Sequence, residues 1–129
     1  MATIDAELIF SENQDVAADV VSTKVIDIGG ATKLIHPLFI DVKLTAPCTS
    51  GKMNTVTVQS APTADFAAPV DEVTITVPAA MAQTKACTLA QFYAPISHGN
   101  RYVRLKYAGT SPVGGKLFAY MSTGTQLTL

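Results

Sequence analysis

Apolar and polar side chains alternate along several segments of this chain, a pattern typical of β-strands with one buried face. The clearest segment is 38–45, in which every second residue is aliphatic. Segments 54–60, 73–77 and 102–107 alternate in the same way. From this pattern we expect a hydrophobic core that contains Leu38, Ile40, Val42, Leu44, Val73, Ile75, Val77, Val103 and Leu105.

Three further strands are expected from less regular patterns. Segment 23–28 is rich in β-branched residues, and segment 116–122 follows a Gly-Gly turn. In segment 116–122 the alternation leaves open whether Leu117 and Ala119 or Phe118 and Tyr120 face the core. Segment 81–93 also fits a helix, but we predict a strand from about Cys87 to Tyr93.

Turn-forming residues separate nearly all of these segments, at spacings of about 10–15 residues, which indicates a sandwich or a barrel. No segment has the length and pattern of a crossover helix, so the strands are expected to be antiparallel. The expected turns are Pro47 with Ser50-Gly51, Pro62 to Pro69, Pro78, His98-Gly99-Asn100, Gly109 with Pro112, and Gly114-Gly115.

The two ends of the chain are polar and weakly patterned. With 129 residues the chain has the length of one domain. We therefore expect an N-terminal arm over residues 1–22, a β-sandwich domain over 23–122 and a C-terminal tail over 123–129.

Charged residues make up only 15% of the chain, against about 25% in typical globular proteins, and the net charge is −1. A chain without a basic field is a poor ligand for nucleic acid or for an anionic membrane, so neither is expected as a partner. The N-terminus lacks the pattern of a secretory signal, and no apolar run has the length of a membrane span. Synthesis in the cytoplasm is therefore expected.

The chain offers little catalytic chemistry. Its two histidines, His36 and His98, are far apart and belong to no metal-binding motif. Asp71 and Glu72 are neighbours on a strand, so they point to opposite faces and are poorly placed to act on one bond. We expect no enzymatic activity, no cofactor, no metal and no small-molecule substrate.

The two cysteines, Cys48 and Cys87, are expected to be small buried residues with free thiols, because the protein should assemble in a reducing compartment. A disulfide is the alternative, since sequence alone does not tell whether the two residues are close.

Three polar or aromatic side chains, Tyr102, Arg104 and Lys106, share the outer face of one predicted strand. We expect this face to be solvated, with a protein contact as the next alternative. Binding to nucleic acid is the least expected, because so few positive charges attract it only weakly.

Three segments resemble the small capsid cement (decoration) proteins of tailed bacteriophages. They are residues 11–30 (SENQDVAADVVSTKVIDIGG), 60–70 (SAPTADFAAPV) and 96–123 (ISHGNRYVRLKYAGTSPVGGKLFAYMST). The resemblance implies an antiparallel jelly-roll-like β-sandwich, here of about seven to eight strands with terminal arms, that has no enzymatic activity. It also implies a place on the outer capsid surface of the virion, bridging major capsid proteins, and self-association as a homodimer, with a trimer possible.

A cement role requires contact residues, and two groups are candidates. One is the apolar cluster of the N-terminal arm, and the other is the polar strand face described above. Alternatively, the arm adds an edge strand from about Glu7 to Ser11, or is disordered. The expected contacts to capsid protein or to another subunit are Ile4, Leu8, Ile9, Phe10, Tyr102, Arg104 and Lys106.

Two other functions are compatible with a β-sandwich. A receptor- or carbohydrate-binding domain of a phage tail component would be expected to show exposed aromatic residues in loops, yet the chain has no tryptophan. A jelly-roll metalloenzyme would need clustered histidines.

Overall fold

The alternating segments form strands in the computed structural model, which describes residues 8–27, 38–94 and 100–123. Strands account for most of these residues. The nine strands are β1 (Ile9–Asp15), β2 (Asp19–Val21), β3 (Ile26–Asp27), β4 (Leu38–Ala46), β5 (Ser50–Ala61), β6 (Val70–Thr76), β7 (Cys87–Ala94), β8 (Tyr102–Val113) and β9 (Lys116–Thr123).

The strands form two antiparallel sheets. The first sheet has the order β1-β9-β4-β7, and the second has the order β2-β8-β5-β6, with β3 also paired to β8. The early strands thus pair with the late strands in reverse order: β1 with β9, β2 and β3 with β8, β4 with β7, and β5 with β6. This nested pairing across two sheets is the arrangement of a jelly roll. The predicted all-β antiparallel sandwich is confirmed, with one or two strands more than expected.

The core lies between the two sheets and contains most of the residues that alternation predicted. Ile40 and Val42 of the first sheet and Val103 and Leu105 of the second sheet are completely buried. Leu44 and Val77 are buried too, although Val77 lies just beyond the end of β6. Leu38 is the first residue of β4, but its side chain is outside the part of the structure that is described.

Val73 and Ile75 are less buried than the alternation predicted. Both are only partly buried, although they do pack against the core. The physical reason is that β6 is the edge strand of the second sheet, where one side of the strand has no neighbour among the described strands.

Strand pairing settles the two segments that the sequence left open, 116–122 and 81–93. Leu117, Ala119 and Met121 of β9 are buried, so Phe118 and Tyr120 face outward. Segment 87–94 is a strand paired with β4, and the helical alternative is wrong.

Residues assigned to the N-terminal arm belong to the sandwich from Ile9 onward. β1 pairs with β9 at the edge of the first sheet, which is the edge-strand alternative, and Phe10 is 0% exposed in the core. β2 pairs with β8 at the edge of the second sheet. The arm prediction failed because the partners of these residues lie about a hundred positions away in the sequence. Residues 1–7 lie outside the described residues.

The predicted strand over 23–28 is confirmed only at Ile26–Asp27, because pairing with β8 is interrupted after β2. The backbone N–H of Leu105 donates to the Ser22 hydroxyl at 3.0 Å, so a side chain takes the place of a backbone carbonyl. Lys24 then turns away and donates its N–H to Phe10 O at 3.0 Å. Only Ile26 and Asp27 return to β8 as β3.

A buried polar network joins the two sheets near β1. The Ser11 hydroxyl donates to Gln14 Oε1 at 2.6 Å, so the Tyr107 hydroxyl, at 2.6 Å from Ser11 Oγ, is the donor in that second bond. The Gln14 amide donates to Val21 O at 2.8 Å, and its oxygen accepts the N–H of Thr23 at 3.0 Å. Each hydrogen-bonding group of this network is satisfied within the sandwich, which supports the burial of its polar atoms.

The turn expected at Gly109 and Pro112 does not form. β8 continues to Val113 alongside β5, with two register shifts that absorb the irregular residues. A Cβ atom at Gly109 would lie 2.5 Å from Lys52 O, so glycine is needed there for close approach of two backbones rather than for a turn.

Candidate functional site

The outer face of the second sheet carries the polar residues that the sequence singled out. Tyr102, Arg104 and Lys106 alternate with fully buried residues of β8 and are each half-buried on the outer side. The three side chains therefore share the outer face of β8, as the alternation predicted.

The Arg104 side chain on this face is held by contacts with other residues of its own chain. Its Nε donates to Gln59 Oε1 at 2.8 Å, and the Gln59 amide donates to Asp71 Oδ1 at 2.9 Å. The guanidinium also lies 4.3 Å from the ring centroid of Phe66, a buried residue of the β5–β6 loop. A cation–π contact and a charge-assisted hydrogen bond together hold Arg104 in place.

The other basic groups near this face also have acidic neighbours. Lys106 Nζ lies 3.9 Å from Asp19 Oδ1. Arg101 makes two hydrogen bonds of 2.8 Å to Asp27, which raise the pKa of its guanidinium. The basic residues therefore form local pairs and not one continuous positive surface.

The described apolar residues of the predicted arm pack against the sandwich of their own chain. Leu8 is partly buried against the core, Ile9 is buried, and the side chain of Phe10 is inaccessible from outside. A direct contact of Phe10 with a partner is therefore inconsistent with this fold. Ile4 lies outside the described residues.

The outer face of the first sheet is more unusual, and it was not among the sites expected from the sequence. Phe39 of β4 is paired with Tyr93 of β7, and their ring centroids are 5.1 Å apart. Phe118 and Tyr120 of β9 lie on the same face with centroids 5.7 Å apart. We call these four residues the aromatic face. Tyr93 is 59% exposed, so the face is open to solvent at the β7 edge.

A carboxylate lies in the middle of the aromatic face. Asp41 is directly opposite Gln91 on one side and Tyr120 on the other, and it is only 3% exposed. Its Oδ2 accepts hydrogen bonds from Tyr120 Oη at 3.0 Å and from Gln91 Nε2 at 3.2 Å. Its Oδ1 is buried and has no hydrogen-bond partner among the described residues.

This arrangement has an energetic cost. A buried acceptor without a partner destabilises a protein by about 1–3 kcal/mol, and more when it is charged. Lys43 does not supply the hydrogen bond that Oδ1 lacks. Its Nζ lies 3.9 Å from Oδ2, the oxygen that already accepts two hydrogen bonds. Burial, and then the hydrogen bond to Asp41 and its charge, raise the pKa of Tyr120, so its hydroxyl remains a donor at neutral pH.

One signal for the aromatic face was present in the sequence. Phe39 alternates with the core residues of β4 and so had to face outward. The rest depended on knowing which face of β9 is buried and how β4, β7 and β9 align.

The described residues offer no alternative site with obvious chemistry. Among them, no group of three or more histidine, cysteine or acidic side chains could hold a metal ion. The side chains of Asp71 and Glu72 bond to different neighbours, Gln59 and Ser60. His36 and His98 lie outside the described residues. Within the described part of the chain, no helix is long and apolar enough to cross a membrane.

The cysteines are both free, with Cys48 buried and Cys87 half-buried. Burial raises the pKa of both thiols, and the nearby Cys87 raises that of Cys48 further. Both side chains are therefore neutral thiols near pH 7, which is unfavourable for nucleophilic chemistry.

No family model matches this chain, and no curated protein matches its sequence.

Proposed function

We propose that this protein is a virion structural protein that binds the outer surface of a phage capsid and cements the expanded shell by bridging major capsid proteins. The proposal begins from the resemblance of residues 11–30, 60–70 and 96–123 to capsid cement proteins. A jelly roll is compatible with it, since that fold recurs in virion proteins.

The structural observation that carries the proposal is the aromatic face. Protein-binding surfaces are enriched in aromatic residues, and Tyr is one of the residue types that most often contribute strongly to their binding energy. Four aromatic side chains gathered on the outside of one sheet, in a chain with few charges, fit a surface that is covered by a protein partner.

As a cement, the protein acts as a ligand of the assembled shell. A ligand that binds the expanded shell better than its subunits shifts the equilibrium toward the shell, by about 2.7 kcal/mol per site at roughly 100-fold above its dissociation constant. A cement molecule that touches two capsomers gains further from effective concentration.

Self-association is part of the proposal, and we assign it to the edge of β7 that has no partner among the described strands. β7 has the sequence CTLAQFYA, with neither charge nor proline, and it is an edge strand of the first sheet. Natural edge strands are usually protected from pairing by charge, proline or bulges, and of these β7 has only one bulge, at Leu89, where its register with β4 shifts. Antiparallel pairing of β7 with β7 of a second copy needs no other complementary surface and gives a two-fold dimer.

A second candidate function is a receptor- or carbohydrate-binding domain of a phage tail component. Tyr93 supports it, because an exposed aromatic ring offers an apolar face on which a sugar can pack. The two functions differ in stoichiometry, since a cement protein is present at a copy number comparable with that of the major capsid protein.

The deciding experiment is quantitative mass spectrometry of purified virions of the phage that encodes the protein, followed by decoration of undecorated capsids with purified protein. A copy number close to that of the major capsid protein, with binding to expanded shells and not to unexpanded procapsids, is the expected result. A handful of copies per virion would instead favour the tail component, and absence from virions would refute both.

A further inference from the structure

The least satisfied group among the described residues is the Asp41 carboxylate. It is the one buried side-chain oxygen there that lacks a hydrogen-bond partner. The strand position does not require it, since a threonine or a valine would fit the face of a sheet at lower cost. Asp41 therefore marks a place where a hydrogen-bond donor is missing.

The surroundings of Asp41 define what kind of donor fits. Phe39 precedes it by two residues on the same face, and Tyr93 is diagonal to it across the strand pair, within reach of a long side chain. Tyr120 lies directly opposite on β9. A planar cation satisfies this environment best, because it stacks on aromatic rings while donating to a carboxylate.

An incoming donor would compete with Gln91 for Oδ2 of the carboxylate. Its amide donates to Oδ2 at 3.2 Å, the longer of the two bonds at that oxygen, and Gln91 is exposed. Exposed side chains change rotamer within nanoseconds, so Gln91 can leave the carboxylate when a charged donor arrives. The exchange is favourable because a guanidinium pairs two opposite charges and can donate two parallel hydrogen bonds to the carboxylate, whereas the neutral amide donates only one.

We propose that the aromatic face is a docking surface that receives an arginine side chain of a partner protein, with the guanidinium donating to Asp41 and stacking on Tyr93. The identity of that partner as the major capsid protein rests on the function proposed above. Arginine fits better than lysine, because its two parallel N–H groups reach both carboxylate oxygens.

A second copy of this chain is a poor source of that arginine. The chain has two arginines, Arg101 and Arg104. Arg101 is held by two hydrogen bonds to Asp27, and Arg104 by Gln59 and Phe66. Supplying either one would break these contacts, so the charge complementarity of Asp41 points to a different protein.

The site is tested first without any capsid, by NMR titration of the purified protein with N-acetyl-arginine amide. The neutral isostere N-acetyl-citrulline amide is the matched control ligand. We expect saturable shifts at the amides of Asp41, Gln91, Tyr93 and Tyr120 with the arginine derivative, and at least about tenfold weaker binding of citrulline.

Two variants and one control test the residues. D41N keeps the shape of the side chain, and Y93A changes an exposed residue, so both should fold; we expect both to reduce arginine binding at least about tenfold. D65N removes the same charge from an exposed loop near the second sheet and should bind like the wild type. Equal binding of arginine and citrulline, shifts confined to other surfaces, or unchanged binding by folded D41N would overturn the proposal.

Decoration of expanded capsids then tests the partner. If the wild type and D65N bind capsids while D41N binds at least about tenfold more weakly, the capsid contact lies at Asp41. If all three bind capsids equally, the cement function stands but the aromatic face is not its contact. If the wild type itself does not bind capsids, the cement function fails, and the NMR titration alone decides whether the arginine site exists.

Discussion

The buried Ser11–Tyr107 pair provides a quantitative test of how the jelly roll is held together. The two hydroxyl groups are 2.6 Å apart and both residues are completely buried, although 96 positions separate them in the sequence. Ser11→Ala would leave the Tyr107 hydroxyl without its acceptor and would remove a donor from Gln14. Because a buried polar group without a partner costs about 1–3 kcal/mol, we expect Ser11→Ala to lower the free energy of unfolding by that amount.

The companion variants give the expected order of effects. Tyr107→Phe removes one donor, but the Ser11 hydroxyl still donates to Gln14, so this variant should lose less than Ser11→Ala. The double variant removes both partners of the bond, so its loss should be smaller than the sum of the two single losses, by about 0.5–3 kcal/mol.

The assay is urea unfolding at equilibrium, with the free energy of unfolding extrapolated to water for all four proteins. At this chain length 1 kcal/mol also corresponds to a change of roughly 3–6 °C in Tm. Additive losses, or a Ser11→Ala variant as stable as the wild type, would refute the assignment of this pair as a stabilising link between β1 and β8.

The same pair predicts a pH dependence. Burial raises the pKa of the Tyr107 hydroxyl, and its hydrogen bond with Ser11 lowers it by less. In the unfolded chain a tyrosine loses its proton near pH 10, whereas folded Tyr107 keeps it. The stabilising effect of this shift is therefore complete below about pH 10 and is lost as the pH rises further. Stability measured from pH 8 to 11 should fall less steeply in Tyr107→Phe than in the wild type, and equal slopes would contradict the prediction.

Three further predictions concern the core, the edge and a backbone contact. Ile40→Ala and Leu105→Ala should each lower the free energy of unfolding by about 2–5 kcal/mol, and an unchanged unfolding midpoint would show that the core is assigned incorrectly. Thr88→Lys on the β7 edge should shift the protein toward monomer in sedimentation velocity experiments, whereas Thr74→Lys on the β6 edge should not; a monomeric wild type at micromolar concentration would contradict pairing through β7. Gly109→Ala should destabilise the protein by about 1–3 kcal/mol in urea unfolding, because its Cβ would lie 2.5 Å from Lys52 O; wild-type stability would mean that the two backbones separate easily.

The sequence by itself determined the fold class and the faces of the regular strands. Ile40 and Val42, like Val103 and Leu105, are buried as their alternation predicted, because a period of two places every second side chain on the same face of a strand. Even the irregular segment 87–94 could be predicted as a strand. These properties are local, so a window of a few residues contains the information.

Tertiary structure alone decided the features that depend on distant partners. Phe10 looked like part of a free arm, yet it is buried because β1 finds its place beside β9 at the other end of the chain. Leu117 could be assigned to the core only after β9 was paired, since both faces of that strand are partly apolar.

The candidate site is the strongest example of this dependence. Asp41 is an unremarkable polar residue in the sequence, on the outer face of an alternating strand. Its two hydrogen-bond donors lie 50 and 79 positions away, and they reach only one of its oxygens because of the register of β4 with β7 and β9. Strand register is set by the packing of whole sheets and by bulges, so no local pattern contains it.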